Sequence, residues 1–165
     1  MVRVMPNLPA TVGAGFSAYA SGRRTRDGDG AVVERLLGAV GEVRRVEERQ
    51  MDAVTGLSGS GPGFVFAFME ALEEAGVQQG FDVATARSMA IATVRGAAEL
   101  AATEAGREGG ADPSELRRRV SSPGGTTLAG LSAMERGGFE GCVVAAVAAA
   151  TARSAELGSV STGRK

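Results

Sequence analysis

Apolar residues near the start of the chain follow the short, interrupted runs that are typical of β-strands. Val2–Met5 stops at a pair of prolines, and a second run over residues 16–20 stops at Ser21-Gly22. Val43 and Val46 indicate a third run. Runs of this length, bounded by turn residues, predict three short strands.

Residues 29–40 have helical spacing instead, since their apolar residues share one stripe, with Asp29 as N-cap and Gly41 as the stop. The order is therefore β-β-α-β. Such a unit is too small to cover both faces of a parallel sheet. We therefore expect residues 1–48 to be the end of a larger domain.

From Gln50 onward the spacing predicts helices. The first covers residues 62–79, and the second runs from an Asp82 N-cap to residue 105. A third opens at Asp112, which is followed by proline at the first helical position and a carboxylate at the third. A fourth ends at Gly137-Gly138, and a fifth begins at Phe139. Residues 159–165 are expected to be a frayed tail.

The second helix carries a stripe of small residues at spacings of three and four: Val83, Ala86, Ala90, Val94, Ala97 and Ala101. A stripe of this kind faces other helices. Composition supports this, because 44% of residues are hydrophobic but only 4% are aromatic. The core must be built from Ala, Val and Leu in closely approaching helices. Such extensive apolar faces predict at least a dimer.

Charge and composition exclude several function classes. Eighteen basic and nineteen acidic residues give a net charge of −1, which does not favour nucleic acid. The chain has no histidine, so a Ser-His or Cys-His relay is excluded and a metal site is not expected. The lone Cys142 reads as a small buried hydrophobe. With no apolar run of membrane-spanning length, we expect a soluble, cytoplasmic protein.

Two glycine-rich stretches are the candidate functional elements. The first, residues 55–63, has little side-chain bulk, so a backbone, cofactor or substrate can approach closely; alternatively, it is a turn that enters a helix. The second, residues 121–127, places Gly124-Gly125 before two threonines at a helix start. Exposed N–H groups there favour an anion, unless Thr126 or Thr127 caps the helix. By contrast, Gly13-x-Gly15 lacks the helix of a dinucleotide fingerprint, and we assign it no cofactor role.

Three motifs together resemble those of pyrroline-5-carboxylate reductases. They are Arg-Val-Met-Pro-Asn at residues 3–7, Asp-Ala-Val-Thr-Gly-Leu-Ser-Gly-Ser-Gly-Pro at residues 52–62, and Ser-Pro-Gly-Gly-Thr-Thr-Leu-Ala-Gly-Leu at residues 122–131. The resemblance covers nearly the whole chain. Differences are mild: Leu8 stands where the family has threonine, and Gly63-Phe64 stands where it has Ala-Tyr.

The resemblance implies a mainly α fold. Residues 49–158 would form an all-helical dimerisation and substrate-binding bundle, like the C-terminal domain of 6-phosphogluconate dehydrogenase. Residues 1–48 would be the β-β-α-β remnant of a Rossmann domain, and residues 159–165 a tail. The strand and glycine-rich loop that hold the cofactor pyrophosphate in the family are absent from this sequence.

The resemblance also implies an activity: reduction of 1-pyrroline-5-carboxylate to L-proline by NADPH or NADH, in proline biosynthesis, by a homodimer or a ring of dimers. Thr55 would be catalytic, as donor or proton relay to the imine nitrogen. The substrate carboxylate would lie against Ser122, Gly124, Gly125, Thr126 and Thr127. The cofactor nicotinamide would lie against Gly59, Ser60, Gly61 and Pro62. The competing hypothesis is a non-catalytic helical dimerisation module.

Overall fold

A computed structural model describes residues 1–162, which form two compact units. The sheet unit consists of Met1–Phe64 together with the chain from Gly141 onward, and the helical unit is Val65–Glu140. The domain boundaries expected from the sequence, at residues 48/49 and 158/159, remain a prediction.

The sheet unit contains the predicted β-β-α-β order. Its strands are β1 (Val2–Met5), β2 (Gly15–Ser21) and β3 (Gly41–Arg45), with α1 (Asp29–Leu37) between the last two. β1 pairs antiparallel with β2, and β2 pairs parallel with β3, in the order β1-β2-β3. The mainly α fold preceded by a small sheet is confirmed.

The central strand β2 supplies most of the buried side chains of the sheet unit. Ser17, Ala18, Tyr19 and Ala20 are all at most 2% exposed. The Tyr19 hydroxyl donates to Glu34 Oε1 at 2.6 Å, and this hydrogen bond raises the pKa of the tyrosine. The bond ties α1 to the sheet.

The ends of α1 differ from the sequence prediction. Asp29 is the first helical residue and not the cap; the cap position is Gly28, with φ of 92°, and Asp29 accepts from the Arg26 N–H instead. The helix ends at Leu37, three residues before Val40. Gly41 opens β3 with φ of 148°. Glycine is required there because a Cβ would overlap the backbone of Gly15 on the paired strand.

The helices after residue 50 are α2 (Met51–Val54), α3 (Gly61–Gln78), α4 (Val83–Ala105), α5 (Pro113–Arg119), α6 (Thr126–Arg136) and α7 (Phe139–Thr162). Both predicted aspartate caps are confirmed: Asp82 accepts from the Thr85 N–H and Asp112 from the Glu115 N–H. α7 continues to Thr162, so the helix extends through residues 159–162 of the expected tail. Residues 163–165 of the expected tail lie outside the described part.

The small-residue stripe of α4 is only partly covered within one chain. Ala86 and Ala90 are buried, and a Cβ on Gly76 of α3 would lie 3.0 Å from the Ala86 Cβ. Val83 is 50% exposed. Cys142 on α7 is also exposed, which overturns its interpretation as a buried residue. Among the described residues, no helix is both long and apolar enough to cross a membrane.

Candidate functional site

The first glycine-rich stretch is helical and not an entry turn. α2 continues into a π-helical turn over Thr55–Gly59, where the Ser60 N–H donates to the Thr55 carbonyl at 2.8 Å. The sequence predicted that helical structure begins near Pro62. The structure corrects this, because the chain is already helical from Met51. π-Helical turns are rare and occur frequently at functional sites.

Two glycines of this stretch pack closely inside the sheet unit, and the backbone contacts of Gly56 require glycine there. A Cβ on buried Gly56 would overlap Thr151 Oγ1 and lie 2.8 Å from the Val147 carbonyl oxygen on α7. A Cβ on Gly59 would overlap the Met5 methyl group at the end of β1. The stretch therefore lies directly against α7 on one side and the sheet on the other.

Asn7 joins the same stretch to the sheet through both ends of its amide group. Its Oδ1 accepts from the Phe16 N–H at 2.9 Å, and its Nδ2 donates to the Ser58 carbonyl at 3.3 Å. The amide thus fixes the distance between the start of β2 and the π-helical turn. This contact gives the Met-Pro-Asn motif a structural role that sequence reasoning did not assign.

Thr55, the predicted catalytic residue, is half-buried at the start of the π-helical turn. Its hydroxyl donates to the Met51 carbonyl, one helical turn back, at 2.9 Å. A hydroxyl also keeps two acceptor lone pairs and rotates freely. Thr55 can therefore accept a hydrogen bond as it stands, and it donates to another group once it turns away from Met51.

The predicted cofactor-binding residues lie at the junction of the π-helical turn and α3. Gly59 ends the turn, Ser60 follows it, and Gly61 and Pro62 are the first residues of α3. All four are half-buried, and a Cβ on Gly61 would meet no atom within 4 Å. Their cofactor role remains a prediction.

The second glycine-rich stretch forms a tight turn before α6. The Gly125 N–H donates to the Ser122 carbonyl at 2.9 Å, and Gly124 has φ of 70°. Gly125 is the N-cap of α6, with no side-chain cap. Because Thr126 and Thr127 are the first helical residues, the alternative in which one of them caps the helix is wrong. The backbone N–H groups in the first turn of a helix have no partner within that helix, so the N-terminus of α6 favours an anion.

A buried carboxylate that sequence reasoning missed lies at the end of α4. Glu104 is 8% exposed and accepts from the Ala111 N–H at 3.2 Å. It pairs with Arg107 at 2.6 Å and with Arg119 at 3.5 Å. The Ala111 bond, with help from both arginines, holds the pKa of Glu104 below its usual range. The sequence did carry a signal for its burial: Glu104 lies three residues after Ala101 and so continues the small-residue stripe of α4.

The structure groups the predicted residues in two places. Thr55 and residues 59–62 are neighbours in the sheet unit, whereas residues 122–127 belong to the helical unit. A cleft of about 620 Å³ at the ends of β2 and β3 contains none of them. Acidic groups that line this cleft are already paired, Glu48 with Arg3 and Glu47 with Arg49. We therefore do not assign the cleft a ligand.

Comparison with known sequences identifies relatives along nearly the whole chain. A family model for pyrroline-5-carboxylate reductase dimerisation matches residues 48–157. A pyrroline-5-carboxylate reductase of Synechocystis is 44% identical over 158 residues, which are 96% of this chain and 57% of the relative. One of Arabidopsis thaliana is 45% identical over 156 residues, 94% of this chain and 55% of the relative.

Solved structures give the same result. A pyrroline-5-carboxylate reductase of Coxiella burnetii superposes with a TM-score of 0.87 at 37% identity, over 94% of this chain and 56% of that one. A Plasmodium falciparum pyrroline carboxylate reductase with NADP bound has a TM-score of 0.83 at 32% identity, over 93% and 60%. The chain thus spans little more than half the length of these relatives. Since the family model covers most of its residues, the chain belongs to the pyrroline-5-carboxylate reductase family.

Proposed function

We propose that this chain supplies the substrate-binding and dimerisation part of an enzyme that reduces 1-pyrroline-5-carboxylate to L-proline with NADPH or NADH, in proline biosynthesis. Family membership supports the reaction. The observation that carries the assignment to residues is the uncapped N-terminus of α6 behind Gly124-Gly125, because a helix start of this kind suits the carboxylate that substrate and product share.

In this proposal the second glycine-rich stretch holds the substrate. Backbone N–H groups of Thr126 and Thr127 donate to the carboxylate, while Ser122, Gly124 and Gly125 shape the turn around it. Gly124 adopts a left-handed conformation that keeps the turn tight. A carboxylate fixed in this way orients the imine carbon toward the reduced nicotinamide.

Thr55 acts on the imine nitrogen. Hydride addition to the C=N carbon leaves an electron pair on nitrogen that must be protonated. The Thr55 hydroxyl, turned away from the Met51 carbonyl, donates to that nitrogen or relays a proton to it from solvent. Gly59, Ser60, Gly61 and Pro62 line the nicotinamide, with their small side chains leaving room for the ring.

We further propose a cytoplasmic homodimer that can assemble into a ring of dimers. Large apolar side chains on the helices are exposed in the single chain, with Phe66 and Ile91 at 47% and Val144 at 62%. A second copy that covers them removes this apolar surface from water. Light scattering at micromolar concentration should give at least twice the mass of one chain; a folded monomer would contradict the dimer.

The experiment that tests the activity replaces the matching segment of the Synechocystis reductase by this chain. The chimera should reduce 1-pyrroline-5-carboxylate with NADPH, and Gly125→Val should abolish L-proline binding, because its branched side chain crowds the turn beside Ser122. If the chimera folds as a dimer and binds NADPH but does not turn over the imine, the non-catalytic dimerisation module is correct.

Thr55→Val tests the catalytic role separately. Loss of one hydrogen bond of about 0.5–1.5 kcal/mol predicts a kcat lower by about two- to tenfold, with KM nearly unchanged. Thr103→Val is the matched control, because Thr103 makes the same bond to the carbonyl four residues back, at 2.8 Å, but lies on an exposed face of α4. Equal kcat values for the two variants would leave Thr55 only a packing role.

A further inference from the structure

Glu104 contacts both ends of the short helix α5. At the N-terminal end it accepts from the Ala111 N–H, one residue before the Asp112 cap. At the C-terminal end it pairs with Arg119, the last residue of α5. Seven residues of helix are only about 10 Å long, so one carboxylate with an arginine as its partner can span them.

The loop before α5 packs tightly against Glu104. Gly109 has φ of 67°, and a Cβ on Gly110 would overlap the Glu104 carbonyl oxygen. Arg107, in the same loop, covers the other side of the carboxylate at 2.6 Å. The chain therefore folds back tightly over the end of α4, which leaves Glu104 only 8% exposed.

α5 in turn fixes the start of the second glycine-rich stretch. The Ser121 N–H donates to the Arg118 carbonyl at 3.0 Å, and the Ser121 hydroxyl donates to the Arg117 carbonyl at 2.6 Å. Ser122, whose carbonyl accepts from the Gly125 N–H, follows directly. A continuous series of contacts thus runs from Glu104 through α5 to the cap of α6.

We infer that Glu104 is a positioning residue that holds the substrate-carboxylate turn in its binding conformation through α5. This inference rests on the proposed function of residues 122–127. Glu104 belongs to the scaffold and touches no reacting atom. Its loss should therefore weaken substrate binding and leave the hydride step unchanged.

Glu104→Gln is the direct test, because it keeps the side-chain shape and removes the charge that attracts Arg107 and Arg119. Arg119→Gln keeps the Glu104 charge and breaks the pair that reaches α5, together with the Arg119 bond to Glu115 within α5, and it serves as a second variant. Glu99→Gln is the matched control, since Glu99 also lies on α4 and pairs with an arginine, Arg95, but on the exposed surface.

Amide hydrogen exchange in the 165-residue chain gives a readout that needs no ligand. Exchange at the hydrogen-bonded amides of Ser121, Gly125 and Ala129 should be severalfold faster in Glu104→Gln and Arg119→Gln than in the wild type or Glu99→Gln. Unchanged exchange at these amides in both variants would overturn the inference.

Kinetics in the Synechocystis chimera then separates positioning from a merely structural role. Both variants should raise KM for 1-pyrroline-5-carboxylate severalfold, with kcat within about twofold of the wild-type chimera. Faster exchange with unchanged KM would reduce Glu104 to a structural residue and overturn the inference. A wild-type chimera that binds no imine would instead overturn the proposed function, and this inference with it.

Discussion

The two glycine-rich stretches have similar composition and use glycine for different physical reasons. In residues 55–63, Gly56 is needed because the α7 backbone occupies the space a side chain would take, whereas Gly59 faces only the movable end of the Met5 side chain. In residues 121–127, Gly124 has open space around it but a left-handed backbone, and Gly125 is crowded only by Ser122 of its own turn. A run of glycines can therefore indicate close packing or backbone conformation, and only the fold distinguishes the two.

The largest expected effect on stability is in the first stretch, where adding a single methyl group tests the close packing. Gly56→Ala should destabilise the chain by about 3 kcal/mol, at the upper end of the usual cost of overpacking, because two of the three contacts of the new methyl group are with the α7 backbone. Urea denaturation measures this. Thr151→Ala in the same chain should restore only part of the loss, since it removes only the hydroxyl contact.

Gly63→Ala is the matched control for that experiment. It lies two residues into α3, and a Cβ there would meet no atom within 4 Å. A helical glycine replaced by alanine should stabilise the chain by about 0.5–1 kcal/mol. If Gly56→Ala proved as stable as Gly63→Ala, close packing would not explain the first stretch.

A smaller effect is expected in the second stretch, where conformation decides. Gly124→Ala should cost about 1–2 kcal/mol, because its φ of 70° is unfavourable for a residue with a Cβ. Gly124→Asn should cost less, since asparagine tolerates the left-handed region. Thermal unfolding of the two variants checks this order, and equal losses would point to a steric cause.

Acid should loosen the helical unit before the sheet unit. Five carboxyl groups of the helical unit have lowered pKa values: Glu73, Asp82, Glu104, Asp112 and Glu115. Their main causes are hydrogen bonds from Arg87, Thr85, Ala111, Glu115 and Arg118, respectively. All five are stabilising when charged.

A lowered folded pKa fixes the sign of this effect. The stabilisation is complete above the ordinary values of 4.5 for glutamate and 3.8 for aspartate, and is lost as pH falls through the lowered values. Amide protection in α4 and α5 should therefore be unchanged from neutral pH down to about 4.5 and fall below it, while that in β2 changes less. Loss of β2 protection first would contradict this order.

Local signals in the sequence predicted much of this structure. Asp82 and Asp112 were recognised as caps because a cap bonds to a backbone group three residues away, so the signal lies within four residues. The same logic failed at Asp29, where the preceding Gly28 takes the cap position. The β-β-α-β order along the chain and the mainly helical remainder also followed from short-range spacing.

Long-range contacts could not be predicted in this way. The π-helical turn at Thr55–Gly59 lies against α7, where Gly56 packs against Thr151, 95 positions later. The Asn7 bond to Ser58 and the Glu104 pair with Arg119 likewise join separate parts of the sequence. The motifs identified the family, but the physical role of each residue in them required the fold.

Tyr19 makes the two units separable by spectroscopy. It is the only tyrosine in a sequence without tryptophan, and it is 2% exposed in β2 of the sheet unit. Tyrosine emission therefore reports on the sheet unit alone, whereas far-ultraviolet circular dichroism reports on the helices of both units, since α1, α2 and most of α7 belong to the sheet unit. Coincident transitions by the two probes would mean that the units unfold together, whereas a dichroism change outside the tyrosine transition would mean that the helical unit melts by itself.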